Sequence, residues 1–273
     1  MSLPLISRKI PNQFTQGYQL SLFLSRPETR PEGRAPPSLQ YGELHTYLFE
    51  TPLQERQSHH SHVWLARPSD SQFNGRVVIK IITASQRSAV QVAAMKSVYK
   101  ELPDLQGNGI PYLFAETTME TPWGENADVL AIEYIPKTFL EFTSELDTGE
   151  HKEFHDITKY AAMVREATEM LDTAHRKDIA HSDMRQCHAL FDGKRMVLID
   201  WANYLRVPVQ GLPDMEDAYK FSDLWEVLLC FFQSEMHDEA IKKWIKLNEP
   251  SIVAKLGPFA DSVLSPRSEE DEL

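Results

Sequence analysis

The hydrophobic pattern of the chain changes period near Pro136, and this restricts the folds open to it more than any other feature. Before that point, short runs rich in β-branched and aromatic residues predict strands at Thr46–Glu50, His62–Ala66, Arg76–Ile82, Leu113–Thr117 and Val129–Tyr134. One helical stretch, about Ser88–Leu102, interrupts them. After it, Ile157, Tyr160, Ala161, Val164, Ala167, Leu171 and Ala174 recur at helical spacing, which predicts an amphipathic helix over Asp156–His175. Residues from about Glu216 to Leu264 again read as helical. A small strand-rich part followed by a larger helical part is an α+β arrangement.

With 273 residues, 42% of them hydrophobic, the chain can bury a sizeable core, as one large domain or two lobes. Cys187 and Cys230 are its only cysteines, so no disulfide framework is implied and a reducing compartment is the default. No run approaches a membrane-spanning length, and Met1–Gly17 lacks a secretory apolar stretch. The expectation is a soluble intracellular protein, cytoplasmic or nuclear, without a membrane partner. Residues 1–40 hold five basic and two acidic side chains, a balance of +3; with a net charge of −12, the remainder carries −15. So acidic a body argues against a nucleic-acid surface, which would show a basic stripe. Arg26–Pro37 is dense in proline and arginine and reads as an extended arm or linker. Before it, Tyr18, Leu20, Leu22 and Leu24 alternate with smaller or polar residues, apart from Phe23, and could add a strand to the body. The expected organisation is an extension and linker over 1–42, a main domain over 43–265 divided at 135/136, and an acidic tail over 266–273. Asp271-Glu272-Leu273 ends the chain in a form reminiscent of an ER-retrieval signal, but without a signal peptide a solvated tail is the better account.

The chemistry concentrates just beyond the predicted helix. The segment reads His181-Ser182-Asp183-Met184-Arg185-Gln186-Cys187-His188-Ala189-Leu190-Phe191, followed by Val197-Leu198-Ile199-Asp200-Trp201-Ala202. Between the two aspartates lie the apolar runs Ala189–Phe191 and Met196–Ile199, joined at Asp192-Gly193, a strong hairpin signal. This order resembles the catalytic loop and metal-binding loop of the protein-kinase-like superfamily, where H-x-D and D-F-G motifs flank a short hairpin. The likeness covers about residues 44–265 and looks closest to small fungal kinase-like proteins with degenerate motifs, which tolerate tryptophan after the second aspartate. Either aspartate alone would be an ordinary turn or cap residue.

The resemblance implies a bilobal protein-kinase-like fold, with a small antiparallel-sheet N-lobe and a larger helical C-lobe. It also implies roles. Phosphoryl transfer asks a protein mainly to position groups and neutralise charge. Asp183 would accept or orient the proton of the attacking hydroxyl, and Arg185 stands where kinases carry a lysine facing the transferred phosphate. Asp200 would hold Mg²⁺ against the phosphates of ATP. Val77-Val78-Ile79-Lys80-Ile81 is similar to the strand whose lysine reaches the α- and β-phosphates, although a lysine on an alternating strand is usually a solvated edge charge. Ile132 would be the gatekeeper, with Glu133, Tyr134 and Ile135 offering backbone groups to adenine. Asp223 resembles a buried aspartate that braces the catalytic loop; a helix N-cap is the ordinary alternative.

Three departures complicate these implied roles. No glycine lies between Gly42 and Gly75, so the loop joining the first two predicted strands is not glycine-rich, and Arg56 or the histidines would have to supply positive charge. His59, His60 and His62 lack the accompanying cysteine or carboxylate spacing of a metal site. Met95 occupies the place of the helix glutamate that would pair with Lys80, and Glu101 lies about one and a half turns later. His188 stands where a second metal-ligating asparagine belongs; a neutral imidazole prefers softer transition metals over Mg²⁺, and His188 could still bind Mn²⁺ or hydrogen-bond Asp183. Only 22 residues separate Asp200 from Asp223, little room for a phosphorylatable activation segment. Two functions are therefore expected. One is ATP-dependent phosphoryl transfer to a protein or small-molecule hydroxyl with Mg²⁺ or Mn²⁺. The other is a pseudokinase serving as a binding or scaffold module.

Overall fold

The structure, a computed structural model, describes residues 13–28, 34–54, 61–70, 75–83, 86–201, 205–206 and 214–265. It is an α+β protein whose chain divides into two compact units, Met1–Val92 with Tyr112–Tyr134, and Ala93–Pro111 with Ile135–Leu273.

The first unit is built on six antiparallel strands: β1 (Gln19–Phe23), β2 (Leu44–Pro52), β3 (Ser61–Pro68), β4 (Val77–Thr83), β5 (Leu113–Glu120) and β6 (Asn126–Glu133), in the spatial order β1-β2-β3-β4-β6-β5. The alternation at Tyr18–Leu24 does add a strand, with Leu20 opposite Tyr47 and Leu22 opposite His45. Just beyond β1 the Ser25 amide donates to the Phe114 carbonyl on β5 at 2.8 Å, so the two outer strands approach one another and the sheet rolls around its core. One cluster fills it: Leu22, Tyr47, Phe49, Trp64, Val77, Ile79, Ile81, Phe114, Val129 and Ala131 among others. Phe14 closes one end, its ring 4.9–5.6 Å from those of Tyr18, Phe49, His62 and Trp123. His62 is thus a buried core histidine. His59, His60 and Arg56 lie outside the described residues.

The described part of the proline- and arginine-rich arm packs on this sheet. Arg34 directs its guanidinium to Glu133, with Nε 3.1 Å from Oε1 and Nη2 2.5 Å from Oε2, and its carbonyl accepts the Tyr112 hydroxyl. Tyr41 bonds back to the Pro37 carbonyl, which stiffens the turn between them. Leu39 lies so close to Gly75 that a Cβ there would come within 2.2 Å of its Cδ2 and 2.9 Å of the Ser38 carbonyl. Glycine at 75 is therefore a requirement of the arm's approach.

Helices dominate the second unit, which also takes the C-terminal part of α1 (Gln86–Glu101). α2 (Phe139–Asp147) begins in a capping box between Thr138 and Glu141. α3 (Ile157–His175) starts at Asp156, whose carboxylate accepts the Thr158 amide at 2.9 Å. Its buried face carries the predicted stripe except Ile157, which is half-buried, and widens it with Met163, Thr168 and Met170. The unit's short strands are β7 (Lys137–Thr138), just before α2, and β8 (Ile179–Ala180), β9 (Ala189–Phe191), β10 (Met196–Leu198) and β11 (Leu205–Arg206) after α3, with β9 between β10 and β7 and β8 paired to β11. The Asp192-Gly193 hairpin forms as predicted: the Asp192 carboxylate accepts the amides of Lys194 and Arg195, and Gly193 takes a φ of +96°. The region expected to be helical from residue 216 becomes α4 (Asp214–Phe231), α5 (Asp238–Asn248), α6 (Pro250–Leu256) and α7 (Ala260–Val263). Asp147 sets the first break by accepting the Ser234 hydroxyl and the amides of Glu235 and Met236.

Candidate functional site

At its C-terminal end α3 delivers His175, and after a left-handed residue at Asp178 the two-residue β8 leads directly into His181. What holds this loop is Asp223. Its carboxylate is completely buried, and it accepts the His181 amide at 2.7 Å, the Ser182 amide at 3.0 Å and His175 Nε2 at 3.0 Å. Three donors satisfy a carboxylate that would be costly to bury alone. Asp223 sits in the interior of α4 rather than at its start, so of the two sequence readings the brace describes it and the N-cap does not. Ser182 is held at a φ of +59°, a left-handed conformation that a serine adopts only when its surroundings enforce it. The bond to Asp223 is one such constraint.

His181 links this loop to the second aspartate. Its Nε2 is 2.8 Å from the Ile199 carbonyl, which can only accept, so Nε2 carries the proton. Nδ1 is buried and finds no partner among the described residues. Burial pushes the His181 pKa down by disfavouring the charged ring, while the Ile199 carbonyl acts in the opposite sense. The Trp201 ring lies 4.6 Å away and covers the imidazole. Asp200, between Ile199 and Trp201, has a φ of +63°. Both residues that turn the chain at this site, Ser182 and Asp200, therefore occupy left-handed backbone conformations.

The sequence-predicted residues Asp183, Arg185, His188 and Asp200 all belong to this second unit. Arg185 turns its guanidinium onto Asp183, with Nε at 2.9 Å and Nη2 at 2.6 Å from the same oxygen, Oδ1. That carboxylate raises the Arg185 pKa. A single 3₁₀ turn, Gln186–His188, then places His188 so that Nδ1 is 2.8 Å from the Asp183 carbonyl and Nε2 is 3.7 Å from Asp200 Oδ2. The His188 carbonyl accepts the Ile199 amide at 2.9 Å, which ties the turn to the start of the Asp200 segment. Among the described residues no group of three or more His, Cys, Asp or Glu side chains is arranged to hold a metal ion. His188 and Asp200 are a pair, and any cation there would need further ligands from a bound molecule or water. Ala202 lies outside the described residues.

Lys80, Ile132, Glu133 and Tyr134 belong to the first unit. Lys80 is half-buried between Val63 and Leu130 in register, on the face opposite Val77, Ile79 and Ile81. Ile132 lies two residues from Leu130 on the same face. Glu133 differs: its amide bonds the Tyr112 carbonyl, and its carboxylate turns to the arm, where Arg34 and the Tyr112 amide hold it. Tyr134 is half-buried, and Ile135, buried, begins the second of the two segments that make up the second unit. Met95 is buried, and Glu101 accepts the Ser97 hydroxyl within its own helix. Sequence reasoning missed His175 and Arg34. His175 falls on the predicted helix with no local mark of its role, and Arg34 reads as one more charge in a polar arm.

Among the described residues no helix is long and apolar enough to cross a membrane. No known protein family's sequence profile matches the chain, and no curated protein is significantly similar to it.

Proposed function

We propose that this chain is an ATP-dependent, kinase-like phosphotransferase that moves the γ-phosphoryl group to a hydroxyl of a protein or small molecule, on a bilobal protein-kinase-like fold. The observation that carries this reading is the double tether of the two aspartates. Asp223 grips the amides immediately before Asp183, while His181 bonds the carbonyl immediately before Asp200. Catalysis by positioning needs such preorganisation. A structural turn aspartate does not need a buried carboxylate devoted to its neighbours' amides.

In this reading Asp183 orients the acceptor hydroxyl and takes its proton. Arg185 leaves Asp183 to engage the transferred phosphoryl group, for which its fork of donors is suited. Lys80 contacts the α- and β-phosphates, and the backbone of Glu133–Ile135 receives the adenine beside Ile132. Asp200 and His188 would hold a divalent cation, Mg²⁺ or Mn²⁺; a carboxylate oxygen and an imidazole nitrogen facing one point are a chemically suitable pair. When bound, such a cation neutralises phosphate charge.

A second reading, a pseudokinase acting as a binding or scaffold module, is favoured by one contact. The Arg185 fork occupies Oδ1 of the very carboxylate that would serve as base. The test begins with thermal stability in ATP plus Mg²⁺ or Mn²⁺, where saturation at 100 times Kd stabilises the fold by about 2.7 kcal/mol. Transfer of labelled γ-phosphate to the chain itself or to a panel of acceptors follows. Under the phosphotransferase reading, Asp183→Asn slows transfer by about 10²–10⁴-fold with nucleotide binding retained. Absence of transfer, with or without nucleotide binding, removes the phosphotransferase and leaves the pseudokinase; turnover that vanishes on Asp200→Ala removes the pseudokinase.

A further inference from the structure

The orientation of the His188 ring bears on which cation this site selects. Nδ1 lies 2.8 Å from the Asp183 carbonyl oxygen. A carbonyl can only accept, so the ring proton sits on Nδ1. In the neutral ring Nε2 then presents a lone pair, and it faces Asp200 Oδ2, another acceptor, 3.7 Å away. A cation placed between these two acceptors would be attracted by both. A charge-assisted N–H···O bond is about 2.7–2.9 Å long, and this separation is far beyond that. Two metal–ligand bonds of about 2.0–2.2 Å each can span it. An imidazole whose remote nitrogen donates to a main-chain carbonyl is also the usual condition of a metal-bound histidine, because that bond fixes the tautomer and raises the basicity of the ligating nitrogen.

We infer that His188 makes the cation site of this protein a mixed nitrogen–oxygen site selective for a transition-metal ion such as Mn²⁺ over Mg²⁺, with Nε2 of His188 and Oδ2 of Asp200 as its two protein ligands. The inference rests on the cation site of the proposed function and determines its metal. Mg²⁺ takes oxygen ligands and sheds its water reluctantly, so an imidazole is a poor exchange for hydration. Imidazole suits transition-metal ions, and Mn²⁺, at the weak end of that series, also takes the carboxylate oxygen beside it. His188 is thereby a specificity-determining ligand. The Asp183 carbonyl positions it, so the same loop that carries the candidate base also orients the metal ligand.

The test uses the full chain, with Mn²⁺ observed by electron paramagnetic resonance, without nucleotide and with a non-hydrolysable ATP analogue. Bound Mn²⁺ should show hyperfine coupling to one directly coordinated nitrogen in the unaltered protein. His188→Asn should abolish that coupling and reduce the preference for Mn²⁺ over Mg²⁺, measured by competition, by about tenfold or more. Asp200→Asn should weaken both ions. Nitrogen coupling in the unaltered chain needs no variant to fold, so it stands as an independent readout. Mn²⁺ bound with no nitrogen coupling, or Mg²⁺ competing equally in both proteins, would overturn the inference. So would no cation binding under either condition, which would leave His188 and Asp200 as an imidazolium–carboxylate pair. Nitrogen-coupled Mn²⁺ indifferent to the ATP analogue would support the metal site while removing the nucleotide reading. Stabilisation by the analogue equally well with Mg²⁺ would do the reverse.

Discussion

Arg34→Met removes one half of the ion pair that fastens the arm to the sheet. Glu133 is 7% exposed, and Arg34 meets both of its oxygens, while the Tyr112 amide donates to Oε2 at 3.2 Å. Methionine keeps the aliphatic volume of the arginine stem but leaves the carboxylate with one neutral donor. Breaking a buried pair by deleting one partner costs about 3–5 kcal/mol, because the remaining charge stays desolvated. Arg34 itself is 16% exposed, so water reaches one edge of the pair and the lower end of that range is expected, about 3 kcal/mol. Removing both charges with Arg34→Met and Glu133→Gln should restore most of the loss, since no uncompensated charge remains and the Gln carbonyl can still accept the Tyr112 amide. Urea denaturation of the two single variants and the double variant gives the coupling energy directly. A single-variant loss below about 1 kcal/mol, or a double variant as unstable as the sum of the singles, would refute the claim that this buried pair holds the arm.

Asp223→Ala should destabilise by about 3 kcal/mol, since it strands the buried His181 amide, the part-buried Ser182 amide and the His175 donor, and urea midpoints will show it. Asp223→Asn should fall between it and the unaltered chain. For His181 the pKa is depressed by burial in the folded state, so folding stability is fully present above the unfolded value of about 6.5 and is lost as pH falls from there toward the folded value. Melting temperature should therefore decline below about pH 6.5, and His181→Gln should flatten that part of the profile. Gly75→Ala should cost about 1–3 kcal/mol through the clash with Leu39 and the Ser38 carbonyl. Gly75→Ala combined with Leu39→Ala should show a smaller incremental loss by thermal unfolding, because the nearest clashing atom is gone.

Much of the secondary structure is legible in local pattern. The stripe on α3 follows from helical spacing, the β9–β10 turn from Asp192-Gly193, and β4 from an apolar run interrupted only by Lys80. The strand over Gln19–Phe23 follows from alternation alone. Such features depend on neighbours within a turn or a hairpin, so composition and spacing reveal them. β7, β8 and β11 are each two residues long and carry no period at all; they exist because β9 and β8 find partners far along the chain. The same holds for the helical breaks after α4, where Asp147, nearly ninety residues earlier, caps the turn.

For the candidate site the division is similar. The residue types and their order from His181 to Asp200 are enough to nominate two carboxylates, a histidine and an arginine as one constellation. Tertiary structure decided what each of them does with its hydrogen bonds. It set Asp223 within α4 under the His181 loop, turned Arg185 onto Asp183, and aimed Nδ1 of His188 at a carbonyl so that Nε2 faces Asp200. It also joined Arg34 to Glu133 across 99 positions. Periodicity records which residues prefer burial. The partner of a charge or the tautomer of an imidazole depends on which distant groups packing brings within about 3 Å, and that distance is not written in the order of the residues.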